Sequence, residues 1–414
     1  MGNKTGIEWT DSTWSPIRFR VRKDAAAIAH AKGYTSLVTI AEKMAGRVGP
    51  HCEHVSPGCV HCYAETNNHR CLPANGTGLP YDRRSRDLLE PFIDEKILIE
   101  PLKWRPITYQ LPSPCGPYVE TAERPRRIFV ENQSDLFGEW VTDEMLYAVL
   151  AMVYSMPQHR YQALTKRPAS MLARMSSICL KRLAVTIHSL WLKAPGGDKD
   201  LLSPADFLKD IQWPLPNLWL GVSPVNQATA DEYIPLLLQT PAAVRFISAE
   251  PLLGPVSLSP VADKTYQLLS NFYAPDGSFD PTGSQPTKTR MNNYVAKVDW
   301  VICGGESGPG ARPMHPDWAR SLRDQCQAAR LPFFFKQWGE SIPGEELRGG
   351  EDARERTCCL HRDGYLDMPD CCSHTYEGAK PEDGAVRTIR VGKKAAGALL
   401  DGREWREFPA QATA

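Results

Sequence analysis

Three cysteines in the run HCEHVSPGCVHCYAE, namely Cys52, Cys59 and Cys62, carry the densest reactive chemistry in the chain. The Ser-Pro-Gly turn between the first two can fold the segment back so that the sulfurs converge. Thiolates select zinc, copper(I) or iron–sulfur clusters, and three of them with a fourth position unfilled suit an open metal site. The closing CxxC pair alone would serve as a redox dithiol; Cys52 tilts the reading towards a metal. The plain alternative is three separate buried thiols, each acting as a small hydrophobe. His51, His54, His61 and His69 lie close enough in sequence to complete a tetrahedral Cys3His zinc site. A second group, CCLHRDGYLDMPDCCSH, offers Cys358, Cys359, Cys371 and Cys372, with His361 or His374 as substitutes, for a structural zinc.

These groups need a scaffold, and the hydrophobic pattern supplies one. Apolar runs read as strands over 126–132, 159–165, 217–223, 243–251, 299–308 and 331–338, with IEWT at 7–10 as an N-terminal addition. Between them, 142–156, 228–240 and 317–329 carry apolar residues at helical spacing. Near-continuous apolar strands separated by amphipathic helices predict parallel strands covered by helices. The expected fold is therefore α/β, a partial or closed parallel barrel, with a doubly wound sheet as the other solution. Residues 1–339 form the barrel-like domain with insertions near 21–50 and 262–291, residues 340–390 a cysteine-containing excursion, and 391–414 an extension packed on the main body.

In either architecture the working groups lie beyond the carboxyl ends of the strands. Asn132, Asp135, Lys166, Arg167, Lys336 and Gln337 occupy such positions and suit a polar or anionic substrate. Asn226, Glu250 and Glu306 are candidates for holding a cofactor, and Gly304 and Gly305 permit close backbone approach to it. GGESGPG is neither a dinucleotide fingerprint nor a phosphate-binding loop of the Walker type.

The ordered series TGIEWTDSTWSP, SPGCVHCYAE, FVENQSDLF, LTKRP, LWLGVSPVNQ, SAEPLLGP, GGESGPGARP, PFFFKQWGE and VGKKAAGALLDGREW closely resembles the phage Gp37/Gp68-like family. That family looks related to the radical S-adenosylmethionine superfamily. The resemblance implies a [4Fe–4S] cluster on Cys52, Cys59 and Cys62, with S-adenosylmethionine on the open iron and a 5′-deoxyadenosyl radical as the reactive product. The spacing here is C-x6-C-x2-C rather than the superfamily's usual CxxxCxxC, and His61 precedes the last cysteine where an aromatic residue is common. The implied function is radical modification or cleavage of a substrate, with a nucleobase or nucleic acid as one class and an electron-donor or activating protein as a partner. A zinc-stabilised nucleic-acid or protein binding module is the alternative.

Formal net charge is zero, so a generally basic surface of the kind that drives non-specific DNA binding is absent. Hydrophobic residues make up 42% of the chain and charged residues 23%, which is enough for a large core. No apolar leader and no membrane-length apolar run is present, so the expectation is a soluble cytoplasmic protein with no membrane partner.

Overall fold

A computed structural model describes residues 5–70, 75–111, 120–194, 202–258, 297–344, 357–364, 366–367 and 384–410. Its centre is a curled, open half-barrel of seven strands, all parallel and in sequence order. The strands are β1 (Ser12–Trp14), β2 (Arg127–Val130), β3 (Arg160–Thr165), β4 (Leu218–Val222), β5 (Val244–Ala249), β6 (Trp300–Gly304) and β7 (Phe333–Gln337). Sequential order decides against a doubly wound sheet, in which the strand order reverses at a switch point. The edge strand begins two residues beyond IEWT, at Ser12, which pairs with Ile128.

Strand parity divides the side chains between two cores. Trp14, Ile128, Val130, Tyr161, Leu220, Ile247, Val301 and Phe335 join the larger one under the helices. Five helices supply its outer layer: α1 (Asp143–Ser155), α2 (Pro168–Ser176), α3 (Leu180–Lys193), α4 (Gln227–Gln239) and α5 (Pro316–Ala328). Helix α3 is absent from the sequence reading; its Leu183, Ala184 and Ile187 are buried, while Val185 and Leu192 on its outer side blur the pattern. Helix starts are set by side-chain acceptors. Thr142 accepts from the Met145 amide at α1, and Asn226 and Thr229 form a reciprocal cap at α4. Among the described residues no helix is long and apolar enough to cross a membrane.

The concave face holds a second core of Trp9, Phe129, Trp219, Val244, Phe246, Trp300, Ile302 and Phe334. Gly221 faces the same way, and a Cβ there would lie 2.6 Å from the Phe246 ring, so only glycine lets that ring lie flat. Phe408 closes the floor, 5.3 Å from both Trp300 and Phe334 between ring centres, with the Arg127 guanidinium 4.0 Å above it. The Trp300 indole donates to the Glu407 carbonyl at 2.9 Å, which locks the C-terminal segment in place.

Smaller sheets surround this body. Residues 21–50 contain helices Ala25–Ala31 and Thr35–Met44 and return through Val48–Gly49 to an antiparallel sheet with Ile17–Val21 and Leu89–Ile93. The 340–390 region contributes an antiparallel sheet in which Val386–Arg390 pairs with Ser341–Pro343 and Thr357–Leu360. The 262–291 insertion lies outside the described residues. Asp11 pins the edge strand by accepting from Arg124 at 2.7 Å and from the Arg127 amide at 2.9 Å. Burial opposes its ionisation, but the two arginines outweigh that and hold its carboxyl well below the usual range.

Candidate functional site

A cavity of about 430 Å³ opens above the aromatic floor, at the carboxyl ends of the strands. Its concave-face lining follows from period-two alternation: Phe129 on β2, Leu164 and then Lys166 at the exit of β3, Ser248 and then Glu250 at β5, and Lys336 on β7. A Cβ at Gly304 would lie 3.3 Å from the Lys336 Cβ and 3.5 Å from the Glu250 carboxyl carbon, so glycine lets this pair meet across β6. The Lys336 ammonium donates to Glu250 Oε1 in a short, largely buried ion pair.

The cysteine segment roofs this space, and strand-exit loops hold it there. Ser134 Oγ donates to the His51 carbonyl at 2.7 Å, and Arg167 Nη2 donates to the Glu53 carbonyl at 3.2 Å. The Tyr63 hydroxyl donates to the Asn132 carbonyl, and Arg312 reaches the Pro57 carbonyl at 3.0 Å from the opposite side. Pro57–Cys59 forms a single 3₁₀ turn whose Gly58 presses on the scaffold; a Cβ there would meet Val225 Cγ1 at 2.7 Å. Asp135 is the hub beneath the roof. It accepts from Thr165 Oγ1 at 2.8 Å, from the Phe137 amide at 2.9 Å and from Arg167 Nη1 at 3.0 Å.

Cys52, Cys59 and Cys62 all line the cavity. Yet among the described residues no group of three or more His, Cys, Asp or Glu side chains is arranged to hold a metal ion. This overturns the [4Fe–4S] cluster and the structural zinc, and with them the radical S-adenosylmethionine enzyme and the zinc-stabilised module. The sulfurs are engaged separately instead. Cys52 lies 3.8 Å from the Glu53 carbonyl and 3.9 Å from Arg167 Nη1, while Cys59 lies 3.7 Å from Ser56 Oγ. His51 is fully buried among Phe19, Tyr81 and Trp140, and burial pushes its pKa down to about 3. His54 pairs with Glu65 at 2.8 Å. Of the second cysteine group, Cys371, Cys372 and His374 lie outside the described residues; Cys358 and Cys359 sit on the strand paired to Val386–Arg390, and Cys358 contacts Thr388 Oγ1 at 3.0 Å.

Electrostatics separates the three thiols. Burial pushes Cys52 up to about 12, with Asp135 adding to the effect, and burial likewise raises Cys62. Burial opposes ionisation at Cys59 too, but the Lys166 ammonium and hydrogen bonds at Val55 and Ser56 outweigh it and lower its pKa. Cys59 is the buried thiol of the three, so the absolute labelling rate mixes access with ionisation; the pH at which iodoacetamide labelling rises is expected to be lower for Cys59 than for Cys62 and Cys52. Peptide mass spectrometry across a pH series checks this; an earlier rise at Cys52 would contradict it.

Several strand-exit residues from the sequence reading serve the scaffold. Asn226 caps α4. Gln337 is buried, donating to the Gly305 carbonyl at 3.1 Å and accepting from the Gly339 amide at 2.7 Å. Glu306 borders the cavity beside Gly305, but Arg312 clamps it through Nη2 at 2.6 Å and Nε at 2.8 Å. Asn132, Asp135, Lys166, Arg167, Glu250 and Lys336 are the exit residues brought around the cavity with the cysteines. Sequence reasoning passed over Ser248 and Lys393. Strand parity with Phe246 and Glu250 would have found Ser248; Lys393 arrives through long-range docking and leaves no local signal.

The family model for DUF5131, described as a protein of unknown function, matches residues 45–409. The chain belongs to the DUF5131 family. No curated protein and no solved structure matches it. In this DUF5131 chain the matched span runs from just before the cysteine roof to just beyond the Phe408 floor, so it takes in most of the cavity's lining.

Proposed function

We propose that this DUF5131 protein binds a small organic ligand at the mouth of the half-barrel. One observation carries the reading. Ser248, 1% exposed, lines the cavity, and its Oγ is buried with no hydrogen-bond partner in the protein. An unpaired buried hydroxyl costs about 1–3 kcal/mol, and folded proteins seldom leave one unmatched. Facing a cavity, such a group pairs with water while the cavity is empty and with a ligand when it is filled. The volume falls within the range typical of small-molecule pockets.

The lining indicates the ligand's make-up. Ile7, Trp9, Phe129 and Leu164 offer an apolar wall suited to a ring, and Ser248, Lys166 and the Glu250–Lys336 pair offer a polar one. Trp9 Nε1 is a second buried donor without a protein partner. Nucleosides combine a ring with several hydrogen-bonding groups, which makes them the first probes. Screening a panel of nucleosides and other ring-bearing polar molecules by thermal denaturation is expected to give compounds that raise the melting temperature. Ser248→Ala is expected to weaken their binding about three- to tenfold, the worth of one hydrogen bond. Equal binding by Ser248→Ala, or no stabilising compound in the panel, would sink the reading.

A further inference from the structure

The charges around the cavity do not balance, and the imbalance falls on a single side chain. Four carboxylates line the space, and each has a cation: Asp135 has Arg167 at 3.0 Å, Glu250 has Lys336, Glu306 has Arg312 at 2.6 Å and Glu53 has Arg86 at 3.2 Å. Of the lining cations, Arg167 and Lys336 are consumed in those pairs, and Lys393 meets Glu8 at 3.3 Å. Lys166 is left with no carboxylate partner among the described residues, and the ionisable groups its ammonium acts on are the Cys59 and Cys62 thiols. It is half-buried, and its side chain runs beneath the cysteine roof, with Cε 3.5 Å from where a Cβ on Gly58 would lie. A half-buried ammonium at a cavity wall, with no carboxylate beside it, is placed to pair with an anion that enters the cavity.

Resting on the ligand-pocket reading above, we infer that the ligand carries an oxyanion, a carboxylate or a phosphate, and that Lys166 binds it. The uncommitted Ser248 hydroxyl lines the same cavity, so the charge and a directional hydrogen bond act on one molecule. Such a ligand places its ring against Trp9 and Phe129 and its charge beneath the cysteine roof. A neutral analogue keeps the ring contacts and forfeits the charge pairing.

Calorimetry on the full chain with matched probes tests this. Adenosine against adenosine 5′-monophosphate reads the phosphate case, and indole-3-ethanol against indole-3-acetate reads the carboxylate case. In at least one pair the anion is expected to bind about tenfold tighter at low salt, with the advantage shrinking as ionic strength rises. Lys166→Met is expected to erase that advantage while sparing the neutral partner, and Lys166→Arg to retain it. Circular dichroism and the melting temperature of each variant establish that it is folded. If neutral probes bind, respond to Ser248→Ala, and gain nothing from a charge, the oxyanion inference falls while the pocket reading stands. The inference also falls if Lys166→Met keeps the anion advantage. If no probe binds the wild-type protein at millimolar concentration, both fall.

Discussion

Replacing Asp135 with alanine is expected to cost about 3–5 kcal/mol of stability, the range for breaking a buried ion pair on one side. The side chain is 6% exposed and joins three elements: the β2 exit loop, the end of β3 and, through Arg167, the cysteine roof. Alanine strands the Arg167 guanidinium, itself 11% exposed, and leaves the Thr165 hydroxyl and the Phe137 amide without their acceptor. Asp135→Asn keeps an acceptor and loses the charge, so it should fall between alanine and wild type. Urea unfolding followed by tryptophan fluorescence measures both variants, and limited proteolysis within residues 51–62 reports loosening of the roof. A loss below about 1 kcal/mol for alanine would show that Asp135 does not hold the assembly together.

The second large effect concerns Glu131, at the exit of β2, where the backbone adopts a φ of 53°. Its Oε1 accepts from the Ile17 amide at 2.8 Å, and that bond holds a non-glycine residue in the left-handed region. Burial pushes its carboxyl up to about 8 from an ordinary 4.5. At neutral pH the folded protein therefore keeps the proton that the unfolded chain releases. The contribution is full below about 4.5 and is lost as pH rises towards 8, at about 1.4 kcal/mol per unit. Glu131→Gln preserves the acceptor and has no proton to lose. Wild type is expected to lose stability against this variant between pH 5 and pH 8.5 in urea titrations. Parallel pH profiles for the two proteins would mean that Glu131 is ionised in the fold.

Much of the scaffold was legible because burial on both faces leaves a strong imprint. The runs around LWLGV, VRFISA and WVICG are largely apolar, and each became a central strand; the first two lie within two residues of their expected limits, while the third ends at Gly304, where the GESG run that was expected to continue it leaves the sheet. The edge strand was misplaced because Trp9 is buried by the concave aromatic core, whereas Ser12–Trp14 carries only three residues of pattern. At the site, exit positions such as Lys166 and Glu250 were readable from strand parity. Asn226 and Gln337 looked the same in sequence but were taken up by a helix cap and a backbone turn. The cysteines misled for a related reason. Spacing brings three sulfurs to one cavity, but it does not determine which neighbours each sulfur turns towards, and Arg167 and Ser56 come from the surrounding architecture.

The floor and rim supplied by the C-terminal segment have a consequence for biosynthesis. A nascent chain that stops before residue 393 already contains all seven strands, yet it lacks the Phe408 plug, the Trp300-to-Glu407 latch and the Lys393 side chain at the mouth. The strands can pair while the concave aromatic face is still wet. The pocket takes its final form only when residues 393–408 swing back across strands made much earlier, a closure of long sequence separation and correspondingly slow. Without residues 393–408 the aromatic rings of Trp300 and Phe334 lose the cover that Phe408 gives them, and an apolar surface of that kind favours misassociation until it is closed.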